Sequence, residues 1–226
     1  MATREDMVPE FRAYESFAAD EPTPGTTTLD PESEGLSGKG IREALKWTRH
    51  AFANHTPDSV YKAILAQLAR NMLYYDTSYD HATDLAVKHN IGWLDFTHGI
   101  TMANAARKVC EIFPQLWYPA LLQLAMFAGR NKPYVKEDQD ISSFQRNQPQ
   151  ETYFEDMLQR VGDHGLVHPI YSCHQLKTCL AGEEEARLTP QAYPLLQAAL
   201  QRYFDTPIRE KHVRRTVNQA LTLVSR

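Results

Sequence analysis

At 226 residues with 42% hydrophobic side chains, the chain is long enough to bury one sizeable core. Its 24 basic and 28 acidic side chains are mixed along the sequence to a net charge of -4, and no basic face interleaved with aromatics stands out, which argues against nucleic acid as a partner. No apolar run approaches the ~20 residues of a membrane span. The first residues, MATREDMVPEFRAYESF, put charges where a signal peptide needs an apolar core, so no membrane association and a cytoplasmic setting are expected.

Residues 1–38 hold proline, a threonine run (Thr26, Thr27, Thr28) and many acids before ending in Glu34-Gly35-Leu36-Ser37-Gly38-Lys39-Gly40. This composition predicts an extended N-terminal arm, able to lie on the body through Phe11, Tyr14 and Phe17. Its glycine-lysine ending lacks both the phosphate-loop frame and a preceding strand.

Residues 39–226 read as one all-α domain, a single multi-helix bundle of about eight or nine helices. Ile41, Leu45, Thr48 and Phe52 form one helical stripe, and Val60, Ile64, Leu68 and Met72 another, the second opened by Thr56-Pro57-Asp58. Further helices are predicted over Asp80–His89, over Leu94–Phe113 up to Pro114, and over Gln115–Gly129. The last is apolar on several sides and is expected to be the central, most buried element. Residues 130–150, polar and proline-punctuated, predict a long connection able to act as a lid or an edge over a pocket. Helices follow over Glu151–Val161, Pro169–Ala181, Pro190–Phe204 and Ile208–Val224, the last with His212 and Arg215 turned inward. Alternating Val, Ile and Thr runs are nearly lacking, so no sheet is expected. Cys110, Cys173 and Cys179 lack framework spacing and read as reduced core thiols.

Histidine is the residue type with a pattern. Of nine histidines, six fall in two windows: His81, His89 and His98, then His164, His168 and His174. Imidazole both ligates metals and transfers protons near neutral pH, so such windows beside carboxylates point to a site. Asp95 and His98 are three apart and share a helix face, a spacing that bundles use for iron and manganese; His81 and Asp84, next to Asp80, repeat it in reverse order. His89 and His98 are about half a turn out of phase, so one straight helix cannot aim both inward, and Gly92 offers the break. His168 precedes Pro169 at a helix start, and His174 is out of phase with it; Gly162 and Gly165 weaken a regular helix through His164 and His168. A site therefore requires the two windows to meet across the bundle. His50 and His55 lie near helix ends and read as capping or exposed, and Lys177 as a general acid or anion anchor. Trp47, Trp93, Trp117 and the tyrosines supply aromatic walls or core. No HExxH helix, GxSxG elbow or catalytic Cys–His dyad is present; neighbouring Cys173 and His174 diverge by ~100° on a helix.

The segments DLAVKHNIGWLDFTHGITMANAARKV, LVHPIYSCHQLKTCLA and KHVRRTVNQAL resemble helical domains of Rieske-associated proteins and, more distantly, questin oxidase-like proteins. The likeness covers about residues 40–226, and DxTHxxTxANA and HPIxxxHxxKT are its most specific parts. It implies a helical redox protein in which His89, Asp95, His98, His168, His174 and His212 line one cavity. The CxH and CxxH pairs of a Rieske domain are missing, so any iron–sulfur donor would be a separate electron-transfer protein. The leading expectation is a non-haem metal oxidoreductase acting on a small organic, aromatic substrate. Iron is the expected ion, with manganese, copper or zinc as alternatives. His89, Asp95, His98, His168 and His174 are its ligands, and Asp95, His98 and Lys177 its catalytic groups. A non-catalytic binding domain and a metal-free His/Asp acid–base enzyme are the other two readings, and in both no metal is bound.

Overall fold

A computed structural model describes residues 13–30, 35–81, 91–166, 169–207, 217 and 220–225. Seven longer helices organise these residues: α1 (Ile41–Asn54), α2 (Pro57–Leu73), α3 (Trp93–Ile112), α4 (Trp117–Asn131), α5 (Gln150–Gly162), α6 (Pro169–Leu188) and α7 (Tyr193–Asp205). The fold is an all-α bundle, and isolated bridges are the only β contacts among the described residues. No helix there is long and apolar enough to cross a membrane.

The helix starts follow local chemistry. Thr56 caps α2 by accepting the Ser59 N–H, with Pro57 in the first turn where its missing donor costs nothing. α1 and α3 both start at a glycine whose N–H donates to a carboxylate three residues on: Gly40 to Glu43 and Gly92 to Asp95, each at 3.0 Å. The break expected at Gly92 is thus the N-cap of α3.

The central element is α2, not the Gln115–Gly129 helix expected from the sequence. α2 packs on α3, α4 and α7, and Val60, Ile64, Leu65, Ala69 and Met72 along it are fully buried. α4 is preceded by a 3-10 turn over Pro114–Leu116 and leaves Trp117, Met126 and Phe127 half-exposed. Its close partner is α1, and the contact requires Gly129, where a Cβ would lie 2.8 Å from the backbone of Gly40 and Ile41. The other departures are local. α6 runs on through Glu183, Glu184 and Glu185 to Leu188, because acids at one end of it are paired rather than solvated. The Asp80–His89 helix is represented by a 3-10 turn over Thr77–His81, and residues 82–90 lie outside the described set, as does most of Ile208–Val224.

The N-terminal arm lies against the body. Tyr14 and Phe17 pack on the core, the Tyr118 hydroxyl donates to the Phe17 carbonyl at 3.0 Å, and Gly25 N–H donates to the Phe52 carbonyl at 2.8 Å. Phe11 is outside the described residues. The 130–150 connection is pinned: Arg202 donates to the Leu73 and Tyr75 carbonyls at the end of α2 and to Gln139 at 2.7 Å. Tyr75, Trp93, Phe96 and Tyr203 stack edge-on or tilted at 4.4–5.3 Å, so these aromatics are core.

Candidate functional site

α3 and α6 pack side by side and run in the same direction, since His98 faces His174 and, farther along both helices, Arg107 faces Glu184 and Glu185. The two histidine windows therefore meet near the N-terminal ends of these helices. His98 Nε2 lies 2.9 Å from His174 Nε2, with ring centroids 5.0 Å apart and the rings inclined by 56°. Both side chains are half-buried, at the rim of the interface rather than inside a closed cavity.

Hydrogen-bond logic assigns the protons of this pair. His174 Nδ1 sits 2.6 Å from the Ile170 carbonyl, which only accepts, so Nδ1 carries the proton and the neutral ring presents a lone pair at Nε2. The Nε2–H of His98 then donates to that lone pair, leaving His98 Nδ1 unprotonated. Electrostatics agree with a neutral pair. Burial lowers the His98 pKa, Lys177 and His174 lower it further, and Asp95 opposes them. Burial also lowers His174, against the Ile170 hydrogen bond and with help from Lys177. Lys177 is exposed, and its own pKa is drawn down by partial burial, with Cys173 opposing.

Asp95 lies close enough to act on His98 electrostatically, but its oxygens are engaged elsewhere: Oδ2 accepts the Gly92 N–H at 3.0 Å and Oδ1 is 3.4 Å from Arg130. His89, His168, His212 and Asp84 lie outside the described residues. His81 is exposed beside Asp80, which is buried and accepts the Tyr75 hydroxyl at 2.9 Å. His164 is exposed and accepts the Leu166 N–H at 2.7 Å. Among the described residues no group of three His, Cys, Asp or Glu side chains is placed to hold a metal ion. His50 is exposed, and His55 caps the end of α1 and meets Thr27 at 2.8 Å. His55 and His164 are each satisfied by a neighbouring hydroxyl or backbone group. His174 has such a backbone partner too, at Ile170, and in addition meets His98.

Cys110 and Cys179 are buried, and burial pushes the Cys179 thiol up to about 12. Cys173 departs from the core-thiol expectation and is exposed, because it falls off the buried stripe of α6 marked by Tyr171, Gln175, Thr178 and Cys179.

Sequence reasoning missed the second bridge between the same helices. Arg107 donates from Nε to Glu185 at 2.9 Å, from Nη2 to Glu184 at 3.1 Å and from Nη1 to Glu111 at 2.6 Å, and Asn104 donates to both Glu184 and Glu185. Arg107 is 6% exposed and Glu185 0%. Lys108, with help from Asn104 and Arg107, holds the Glu184 carboxyl down at about 2. Deeper still, the Tyr61 hydroxyl is buried beside Glu185, and burial and the Glu185 charge raise its pKa. The signal was present as the acidic run Glu183-Glu184-Glu185 opposite Asn104 and Arg107, but charge runs ordinarily mark solvated faces.

Two clefts of about 650 and 640 Å³ open on other faces, and neither has His98 or His174 on its described walls. No family model, curated protein or solved structure matches this chain.

Proposed function

We propose that His98 and His174 are paired ligands of a transition-metal ion in a metal-dependent enzyme, and that the reaction is the oxidation of a small organic substrate by a non-haem iron centre. The supporting observation is the Nε2–Nε2 contact of 2.9 Å between helices, with His174 fixed through Nδ1 on the Ile170 carbonyl. Ligating histidines are commonly oriented in this way, the second ring nitrogen bonding a carbonyl so that Nε2 offers its lone pair. Imidazole nitrogens of this kind would suit iron, manganese, copper or zinc, which would supply Lewis-acid or redox chemistry there. The oxidoreductase part of the reading rests on the resemblance of the DxTHxxTxANA and HPIxxxHxxKT segments, as does a separate electron-transfer partner.

This chain's own residues divide the work. For His98 to offer its Nε2 lone pair as a neutral ring, its proton would move from Nε2 to the free Nδ1. Asp95, His89 and His168 are the further ligand candidates, and Asp95 must release its contact with Gly92 or Arg130 to serve. Lys177 would steady an anionic group near the pair, a role supported by the action of its charge on both imidazoles.

Elemental analysis of tag-free protein, repeated on His98→Ala and His174→Ala, tests the reading. It predicts a stoichiometric metal in the wild type that both variants lose. A wild type that stays metal-free after anaerobic ferrous reconstitution would sink it. The neutral Nε2–H···Nε2 bond favours a second reading, a metal-free proton-transferring pair, in which the ring nitrogens keep this tautomeric arrangement by NMR whatever ions are added.

A further inference from the structure

We infer that the cleft between the end of α2, the segment 141–147 and the start of α7 is a binding site for a small organic carboxylate. The inference is independent of the metal reading. The cleft measures about 640 Å³, within the range of small-molecule sites. Its described walls carry two guanidinium groups, Arg70 and Arg146, and no carboxylate, although the chain as a whole is acidic at -4. Leu73, Ile141, Leu195 and the Tyr74 ring supply apolar surface.

Both guanidinium groups keep exposed donors. Arg70 Nε stands 3.3 Å from Glu137; Arg146 is anchored by Nη1 donating to the Ser143 carbonyl at 2.6 Å, while its Nη2 stands 3.4 Å from Asp205, and the two side chains are 44% and 40% exposed. Pairs of this kind are weak in water, so a ligand carboxylate that meets a guanidinium in bidentate fashion competes with them readily. Arg70 also lies over the Tyr74 ring at 5.3 Å, which holds the guanidinium at the cleft wall and leaves an aromatic surface beside it.

The wall is formed in advance of any ligand. Gln197 accepts the Arg146 N–H at 2.9 Å and donates to the Phe144 carbonyl at 3.1 Å, while the Tyr193 hydroxyl donates to the Gln148 carbonyl at 2.8 Å. A segment already fixed loses little further freedom on binding. Two cationic forks over apolar side chains select an anion with a hydrophobic body; a neutral amide lacks the charge, and inorganic phosphate lacks the body.

The test is a titration of ¹⁵N-labelled full-length protein with benzoate and hexanoate, with benzamide and inorganic phosphate as controls. Saturable shifts confined to residues 70–74, 141–147 and 194–198 are expected, with at least one carboxylate binding about tenfold tighter than either control, the effect of one charge-assisted bond. Arg70→Gln and Arg146→Gln should each weaken it about tenfold. Ser142→Trp, a substitution of an exposed wall residue that leaves both arginines intact, should block it if either arginine variant misfolds. No saturable shift with either carboxylate, equal binding of benzamide or phosphate, or unchanged affinity in the folded variants would overturn the inference.

Discussion

Two polar bridges join α3 to α6, and they are opposites in charge and access. At the N-terminal end, neutral imidazoles meet at 2.9 Å, half-exposed, with a lone pair left on His98 Nδ1. At the other end, Arg107 and Glu185 meet at 2.9 Å as charges removed from water, with Glu184 and Glu111 filling the rest of the donor fork and Asn104 donating to Glu184 and Glu185. The ionic bridge holds the helices in register, and removing either partner strands a buried charge. The imidazole bridge, neutral and half-exposed, costs less to open.

The largest effect separating the two is on stability. Arg107→Ala should cost about 3–5 kcal/mol in urea unfolding, because Glu185 is left charged and unpaired, whereas Arg107→Met with Glu185→Leu should recover most of it. A loss under about 1 kcal/mol for Arg107→Ala would remove the distinction.

The next effect is acid sensitivity at the ionic end. Glu184 is held from an ordinary 4.5 down to about 2, so its contribution is complete above 4.5 and disappears as pH falls through 2. Glu184→Gln should flatten stability over that window in pH-dependent melting, and an unchanged slope would contradict the assignment.

At the imidazole end, His174→Ala should cost about 1 kcal/mol or less, the worth of a neutral, half-exposed hydrogen bond, while abolishing metal binding. A destabilisation as large as that of Arg107→Ala would make the pair a structural bolt like the other bridge. The smallest effect is the pH dependence of the pair itself. Both pKa values lie below the ordinary 6.5, so the unfolded chain takes up protons first and stability drifts down as pH falls below 6.5. NMR titration of the ring nitrogens should place both midpoints below 6.5.

The helices were legible because caps and stripes are local: Thr56-Pro57 opens α2, and Pro114 and Pro190 punctuate as expected. What each helix packs against was not. The apolar α4 looked central, yet Ser59, Tyr61 and Asn71 disguised α2, where Asn71 donates to the Ala128 carbonyl at 3.0 Å. The need for the two histidine windows to meet could be argued from phase, but which histidines meet depends on α3 and α6 running parallel, which no single-helix pattern encodes. Arg107 was invisible for the converse reason, since a buried guanidinium and an exposed one read alike in sequence.

The most direct measurement is X-ray absorption at the iron edge of the ferrous-reconstituted protein, compared with His98→Ala and His174→Ala. At least two imidazole scatterers at about 2.1 Å in the wild type, one fewer in each variant, are predicted. Iron bound with no imidazole scattering, or with the same scattering in all three proteins, would contradict a metal centre built on His98 and His174.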